Sequence, residues 1–117
     1  MANQITWLEL PATDPATTQK FYHDVFGWKV TQQGNDQYAE FYDTELTGGG
    51  IYKVDTMPVQ GGIVAYIQVA SIADTIAKIG QHGGAPAGEK QQIPDGGHII
   101  QFDDPAGNKL GLYEPKK

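Results

Sequence analysis

An internal repeat constrains this chain more than anything else in it: residues 5–28 and 62–85 spell the same supersecondary unit at an offset of 57 positions. Ile5-Thr6-Trp7-Leu8-Glu9-Leu10 falls on Gly62-Ile63-Val64-Ala65-Tyr66-Ile67, Asp14 falls on Ser71, and Gly27 on Gly84. Each copy reads as strand, capped helix and glycine stop. One such unit cannot bury its own apolar face, so two must pair, and the expectation is a concave surface between them that carries any function.

Local patterns fill in the rest. Residues 5–10 alternate and are rich in strand formers. Asp14 is a good N-cap acceptor, and Pro15 at the first helical position gives up no needed N–H. Phe21, Tyr22, Val25 and Phe26 recur at helical spacing, and Gly27 can adopt the left-handed conformation that ends a helix. Strands follow at 28–32, 38–42 and 50–54, the first two joined by a Gly34-Asn35-Asp36 turn. The second copy has a strand at 63–69, a capping-box-like Ser71-Ile72-Ala73-Asp74, apolar Ile72, Ile76 and Ile79, and a Gly83-Gly84 stop. Three more strands fit at 86–91, 98–103 and 109–114. The expected class is α+β: two βαβββ modules, at 4–54 and 62–115, joined by a linker at 55–61 within one domain spanning 1–117.

Several segments then resemble a known family over nearly the full length. Leu10-Pro11-Ala12-Thr13-Asp14, Phe21-Tyr22, Val25-Phe26-Gly27-Trp28, His82-Gly83-Gly84 and Asp104-Pro105-Ala106-Gly107-Asn108 resemble the vicinal oxygen chelate superfamily, the group of glyoxalase I, extradiol dioxygenases and bleomycin-resistance proteins. The resemblance implies a ferredoxin-like, glyoxalase-like repeat whose eight strands curve around a cavity, generally in a homodimer. For the enzymes it also implies a divalent metal held by one His or Glu from each of four strands. Those positions fall here on Trp7, Val64, Gly111 and near Gly50, none of which is a metal-ligand side chain. No metal and no other cofactor is therefore expected.

The same alternation proposes what lines the cavity instead. Trp7 and Glu9 share a face, as do Val64, Tyr66 and Gln68 in the second module and Lys109, Gly111 and Tyr113 in the last strand, with Tyr52 joining from the fourth. That is an aromatic lining with one carboxylate, the composition of a small-molecule pocket. Glu9 is the candidate catalytic residue; Trp7, Tyr52, Val64, Tyr66, Gln68, Gly111 and Tyr113 are candidate ligand contacts. Each also has a plain reading as a strand or void-filling residue. A replacement metal site from His98, Glu9 and Glu40 lacks motif spacing, and His23 and His82 read as surface residues.

Composition removes other classes. A net charge of −6 argues against nucleic acid and anionic membrane as partners. The absence of cysteine removes thiolate chemistry and disulfides. Met1-Ala2-Asn3-Gln4 has neither a basic region nor a long apolar stretch, so a cytoplasmic protein is expected. Glycine-rich Gly48-Gly49-Gly50 precedes a strand, whereas phosphate cradles precede a helix. Three readings stay open: a metal-independent small-molecule-binding protein, a lyase or isomerase using Glu9 as a general base raised in pKa by burial beside Trp7, and a structural or interaction domain. A metal-dependent lactoylglutathione-lyase-type enzyme ranks behind the first two.

Overall fold

The computed structural model describes residues 7–30, 37–43, 47–58 and 64–117. Outside them lie Ile5, Thr6, the Gly34-Asn35-Asp36 turn, Thr31 and Gln32 of the second expected strand, the end of the linker at 59–61, and Ile63. The chain divides into two compact units, Met1–Pro58 and Val59–Lys117.

In the first unit β1 (Trp7–Ala12), α1 (Pro15–Phe26), β2 (Lys29–Val30), β3 (Tyr38–Tyr42) and β4 (Gly48–Lys53) follow in order. The sheet order is β1-β4-β3-β2, with β1 parallel to β4 and the other pairs antiparallel. Asp14 caps α1 as its sequence suggests: its carboxylate accepts from the Thr17 hydroxyl at 2.7 Å and the Thr17 N–H at 3.5 Å. Gly27 ends the helix at φ 74°, in the left-handed region where a β-carbon is costly. α1 packs its buried Phe21, Tyr22 and Val25 on the Leu10, Ala12, Ala39, Phe41 and Ile51 face of the sheet. Trp28 closes this core from the side, stacked between Tyr22 at 4.9 Å and Phe41 at 4.8 Å between ring centroids.

The second unit repeats the plan with β5 (Tyr66–Gln68), α2 (Ile72–Gln81), β6 (Ala85–Pro86), β7 (Gln91–Gln92), β8 (His98–Asp103) and β9 (Lys109–Glu114). β5-β9-β8-β6 is the strand order, and β7 also pairs with β8. Ile72 and Ile79 of α2 and Ile100, Phe102, Leu110 and Leu112 of the sheet are its buried apolar residues. Ser71 caps α2 through its Oγ, which accepts from Asp74 N–H, and a carboxylate reaches the same end: Glu114 Oε1 accepts from Ile72 N–H at 2.7 Å. The Asp104–Asn108 turn is fixed by a buried carboxylate. Asp104 Oδ1 accepts from the N–H groups of Ala106 and Asn108, both at 2.9 Å, and Oδ2 from the Asn108 amide at 3.1 Å.

The α+β class and the doubled βαβββ order stand, and the strands of the described residues form two separate open sheets of four and five. The ninth strand arises where one was expected over 86–91. Ala87 N–H still bonds to Gln101, but the chain then leaves β8 through Gly88, at φ 120°, and rejoins it only where Gln91 faces Ile99. One strand thus becomes two of two residues each. β4 begins at Gly48, two residues earlier than its side chains suggest, because its glycines are held by rings from neighbouring β3: a β-carbon would strike Tyr42 at Gly48, Phe41 at Gly49 and Tyr38 at Gly50. No helix among the described residues is long and apolar enough to cross a membrane.

Candidate functional site

The face of the first sheet turned away from α1 is built in cross-strand rows. Register places Trp7, Gly48 and Tyr42 in one row, Glu9, Gly50 and Glu40 in the next, and Pro11, Tyr52 and Tyr38 in the third. Side chains on one face of a sheet alternate along each strand, so these nine share the surface that Leu10, Ala39 and Ile51 do not. Tyr38 leans diagonally from its own row onto the middle one, where Gly50 leaves room for its ring. Its hydroxyl then does two things: it accepts from the Trp7 indole N–H at 3.1 Å and donates to Glu9 Oε2 at 2.9 Å. Tyr42 meets the Trp7 ring edge-on at 6.0 Å and donates its hydroxyl to Glu40 Oε1 at 3.2 Å. Trp7, Glu9 and Tyr52 lie in successive rows of this face, and Trp7 and Tyr52 keep 42% and 37% of their surface exposed.

Electrostatics follow from this packing. Burial is the main reason the Tyr38 hydroxyl is held above its ordinary pKa; the bond to Glu9 adds to the rise and the Trp7 N–H opposes it. Tyr42 is raised by burial and by its bond to Glu40. Both phenols therefore stay protonated and serve as donors to carboxylates. Glu9 itself is exposed and not buried beside Trp7 as expected; the Tyr38 hydroxyl is what holds it.

Tyr38 and Tyr42 were missed by the sequence reading, and Glu40 was weighed only as a metal ligand. The signal was present in the alternation of Tyr38, Glu40 and Tyr42 along one strand. Without the register, nothing tied that strand to Trp7 and Glu9.

In the second unit, Tyr66 faces Gly111 and Gln68 faces Tyr113 across the parallel β5–β9 pair, and Val64 lies two residues before β5. The Tyr66 ring lies over Gly111, where a β-carbon would strike it, and is 46% exposed. Tyr113 is engaged in structure: its hydroxyl donates to Asp95 Oδ2 at 2.8 Å, while Asp95 Oδ1 accepts from Gly97 N–H at 2.7 Å. That bond holds the Tyr113 pKa up, and Asp95 is lowered first by Gly97 and then by Tyr113. His23 and His82 sit at helix ends, with ring nitrogens 3.0 Å from the Trp28 carbonyl and 2.8 Å from the Lys78 carbonyl.

A divalent ion of the kind implied by the family resemblance needs several carboxylate or imidazole donors converging on one point. Among the described residues no three His, Cys, Asp or Glu side chains gather in that way. At Gly50 and Gly111 the place of a donor side chain is taken by a tyrosyl ring. The described residues do not fit such an ion.

A family model described as the Glyoxalase/Bleomycin resistance protein/Dioxygenase superfamily matches residues 4–112. A glyoxylase-like domain-containing protein of Didymella fabae is 32% identical over 107 residues, covering 85% of this chain and 81% of that protein. Among solved structures, a glyoxalase/bleomycin resistance protein/dioxygenase family enzyme from Burkholderia phytofirmans PsJN superposes with a TM-score of 0.80 at 11% identity, over 96% of this chain and 98% of that one. A genomically encoded fosfomycin resistance protein from Listeria monocytogenes gives a TM-score of 0.79 at 17% identity, over 97% of this chain and 92% of that one. At such identities the two structures speak for the fold, and the family model and the Didymella fabae relative carry the assignment: the chain belongs to the glyoxalase/bleomycin resistance protein/dioxygenase superfamily.

Proposed function

We propose that the protein binds a small organic molecule, without a metal ion, on the aromatic face of its first unit. The observation that carries this reading is the Tyr38 hydroxyl, which ties the Trp7 indole to the Glu9 carboxylate while its ring lies over Gly50. A single side chain thereby orders an exposed indole and an exposed acid on one surface, and ordered aromatic groups with a few convergent polar ends are what small-molecule sites use. Tyr66, exposed over Gly111, offers the second unit's counterpart. A homodimer, a cytoplasmic setting and a single functional domain over both modules belong to the same proposal.

A library screened by thermal shift and tryptophan fluorescence tests it. A saturable ligand whose binding weakens in Trp7→Phe is the expected result; a library without any saturable ligand counts against the reading. Stoichiometric metal in protein purified without chelators would overturn the metal-free part.

A second reading is favoured by the 2.9 Å bond between Tyr38 and Glu9: a lyase or isomerase in which Glu9 takes a proton from a carbon acid and Tyr38 steadies the carboxylate. Once a substrate is in hand, unchanged turnover in Glu9→Gln removes Glu9 from that role.

A further inference from the structure

The charges on the aromatic face restrict what it can hold. Glu9 and Glu40 stand in the same row on either side of Gly50, and adjacent strands are about 4.8 Å apart, so two acids share a strip roughly 10 Å wide. The Tyr38 hydroxyl takes one oxygen of Glu9. The other, Oε1, receives no bond from a described residue. A cation on this face, Lys29, extends the Trp7 row beyond Tyr42 on β2, three strands from Glu9, and the ion pairs among the described residues are Lys20–Asp24 and Lys109–Asp103, so no described cation pairs with Glu9. The rows on either side of Glu9 carry exposed rings, Trp7 in one and Tyr52 in the other.

A ligand covering this surface desolvates Glu9. A neutral molecule leaves the acid unpaired, which is unfavourable, and an anion adds repulsion from Glu9, Glu40 and a chain of net charge −6. A cation reverses both terms, and it gains further from the ring faces, which attract positive charge.

Resting on the reading that this face binds small molecules, we propose that its ligand class is the organic cation: a protonated amine on an apolar or aromatic body. The ammonium pairs with Glu9 and the body rests on Trp7 and Tyr52. Tyr38 is the positioning residue, fixing the carboxylate through one oxygen and leaving the other outward.

Three probes of one shape separate the possibilities: benzylammonium, benzyl alcohol and benzoate, titrated into the full chain by calorimetry and tryptophan fluorescence. The expected result is saturable binding of benzylammonium about tenfold tighter than the alcohol, weakening as salt is added, with no binding of benzoate. In Glu9→Gln the ammonium should fall to the level of the alcohol. Glu9 is exposed and glutamine still accepts from the Tyr38 hydroxyl, so this variant should stay folded with a melting temperature lowered by no more than about 4 °C; Glu40→Gln, with a smaller loss of affinity, serves as the second variant. Equal affinity for all three probes, or an ammonium affinity untouched by Glu9→Gln, overturns the inference and leaves the broader reading standing. Failure of all three probes also overturns it, and a neutral or anionic ligand found in the library then shows that the broader reading survives alone.

Discussion

Substituting Gly50 by alanine should harm this protein through a side chain on the neighbouring strand. Gly50 has extended backbone that alanine adopts freely, so no strain arises within the strand itself. The added carbon would instead overlap the Tyr38 ring and hydroxyl, and the ring must swing off the sheet. That breaks the 3.1 Å bond from Trp7 and the 2.9 Å bond to Glu9. Both bonds are solvent-accessible, so together they contribute about 1.5 kcal/mol, the bond to the charged Glu9 being the larger share. Re-exposing part of the ring costs about 1 kcal/mol more. Replacing glycine offsets roughly 0.5 kcal/mol by narrowing the unfolded ensemble. The net loss is about 2 kcal/mol, or a fall of roughly 8 °C in Tm for a chain of this size.

A double-mutant cycle isolates the cause. In a Tyr38→Ala background the same Gly50→Ala change has no Tyr38 ring to displace and should be neutral or stabilising by about 0.5 kcal/mol, a coupling of roughly 2 to 2.5 kcal/mol. Thermal and urea denaturation of the four proteins measure it. An equal cost of Gly50→Ala in both backgrounds would refute the reasoning, since it would place the damage elsewhere than in Tyr38.

Other perturbations have equally direct readouts. Asp104→Ala removes a buried carboxylate that receives three bonds in the turn before β9 and should cost about 3 kcal/mol by urea denaturation. The Glu114 carboxyl is held below its ordinary 4.5, first by the Ile72 N–H, so its stabilising effect is present above pH 4.5 and lost as pH falls through the lowered pKa. The Tm difference between wild type and Glu114→Ala should accordingly vanish in acid. Tyr38 has the opposite sign: with its pKa raised above 10.0, its bond to Glu9 persists below pH 10 and breaks as pH rises through the raised value, leaving a phenolate that still accepts from Trp7. Trp7 fluorescence, compared with a Tyr38→Phe control, should report that alkaline step. Ser71→Ala should lower stability by about 1 kcal/mol through loss of its cap on α2.

The parts of the fold legible in the sequence were those set by local chemistry. Asp14, Pro15 and Gly27 bounded the first helix, Ser71 opened the second, and β3, β8 and β9 matched the alternation of their side chains. Register and reach were less legible. β4 starts early because rings from β3 hold its glycines, a neighbour's property invisible in strand propensity. β6 and β7 separate because three residues, Gly88, Glu89 and Lys90, leave the ladder between Ala87 and Gln91. In the candidate site, alternation correctly set Trp7 beside Glu9, but Tyr38 enters through a diagonal contact that spacing along one strand cannot reveal. Tyr113 had the right parity, yet a bond to Asp95, eighteen positions away, commits it to the hairpin.

The three glycines that open β4 leave half of a central strand with no side chains of its own. Its tertiary contacts are borrowed, so that half cannot consolidate before its neighbour has delivered Phe41, Tyr42 and Tyr38. Assembly of the first unit is thereby ordered in time, and its failure is shared as well: a fluctuation that peels β3 away also unlocks β4, and the amides of both strands should exchange with solvent as one block.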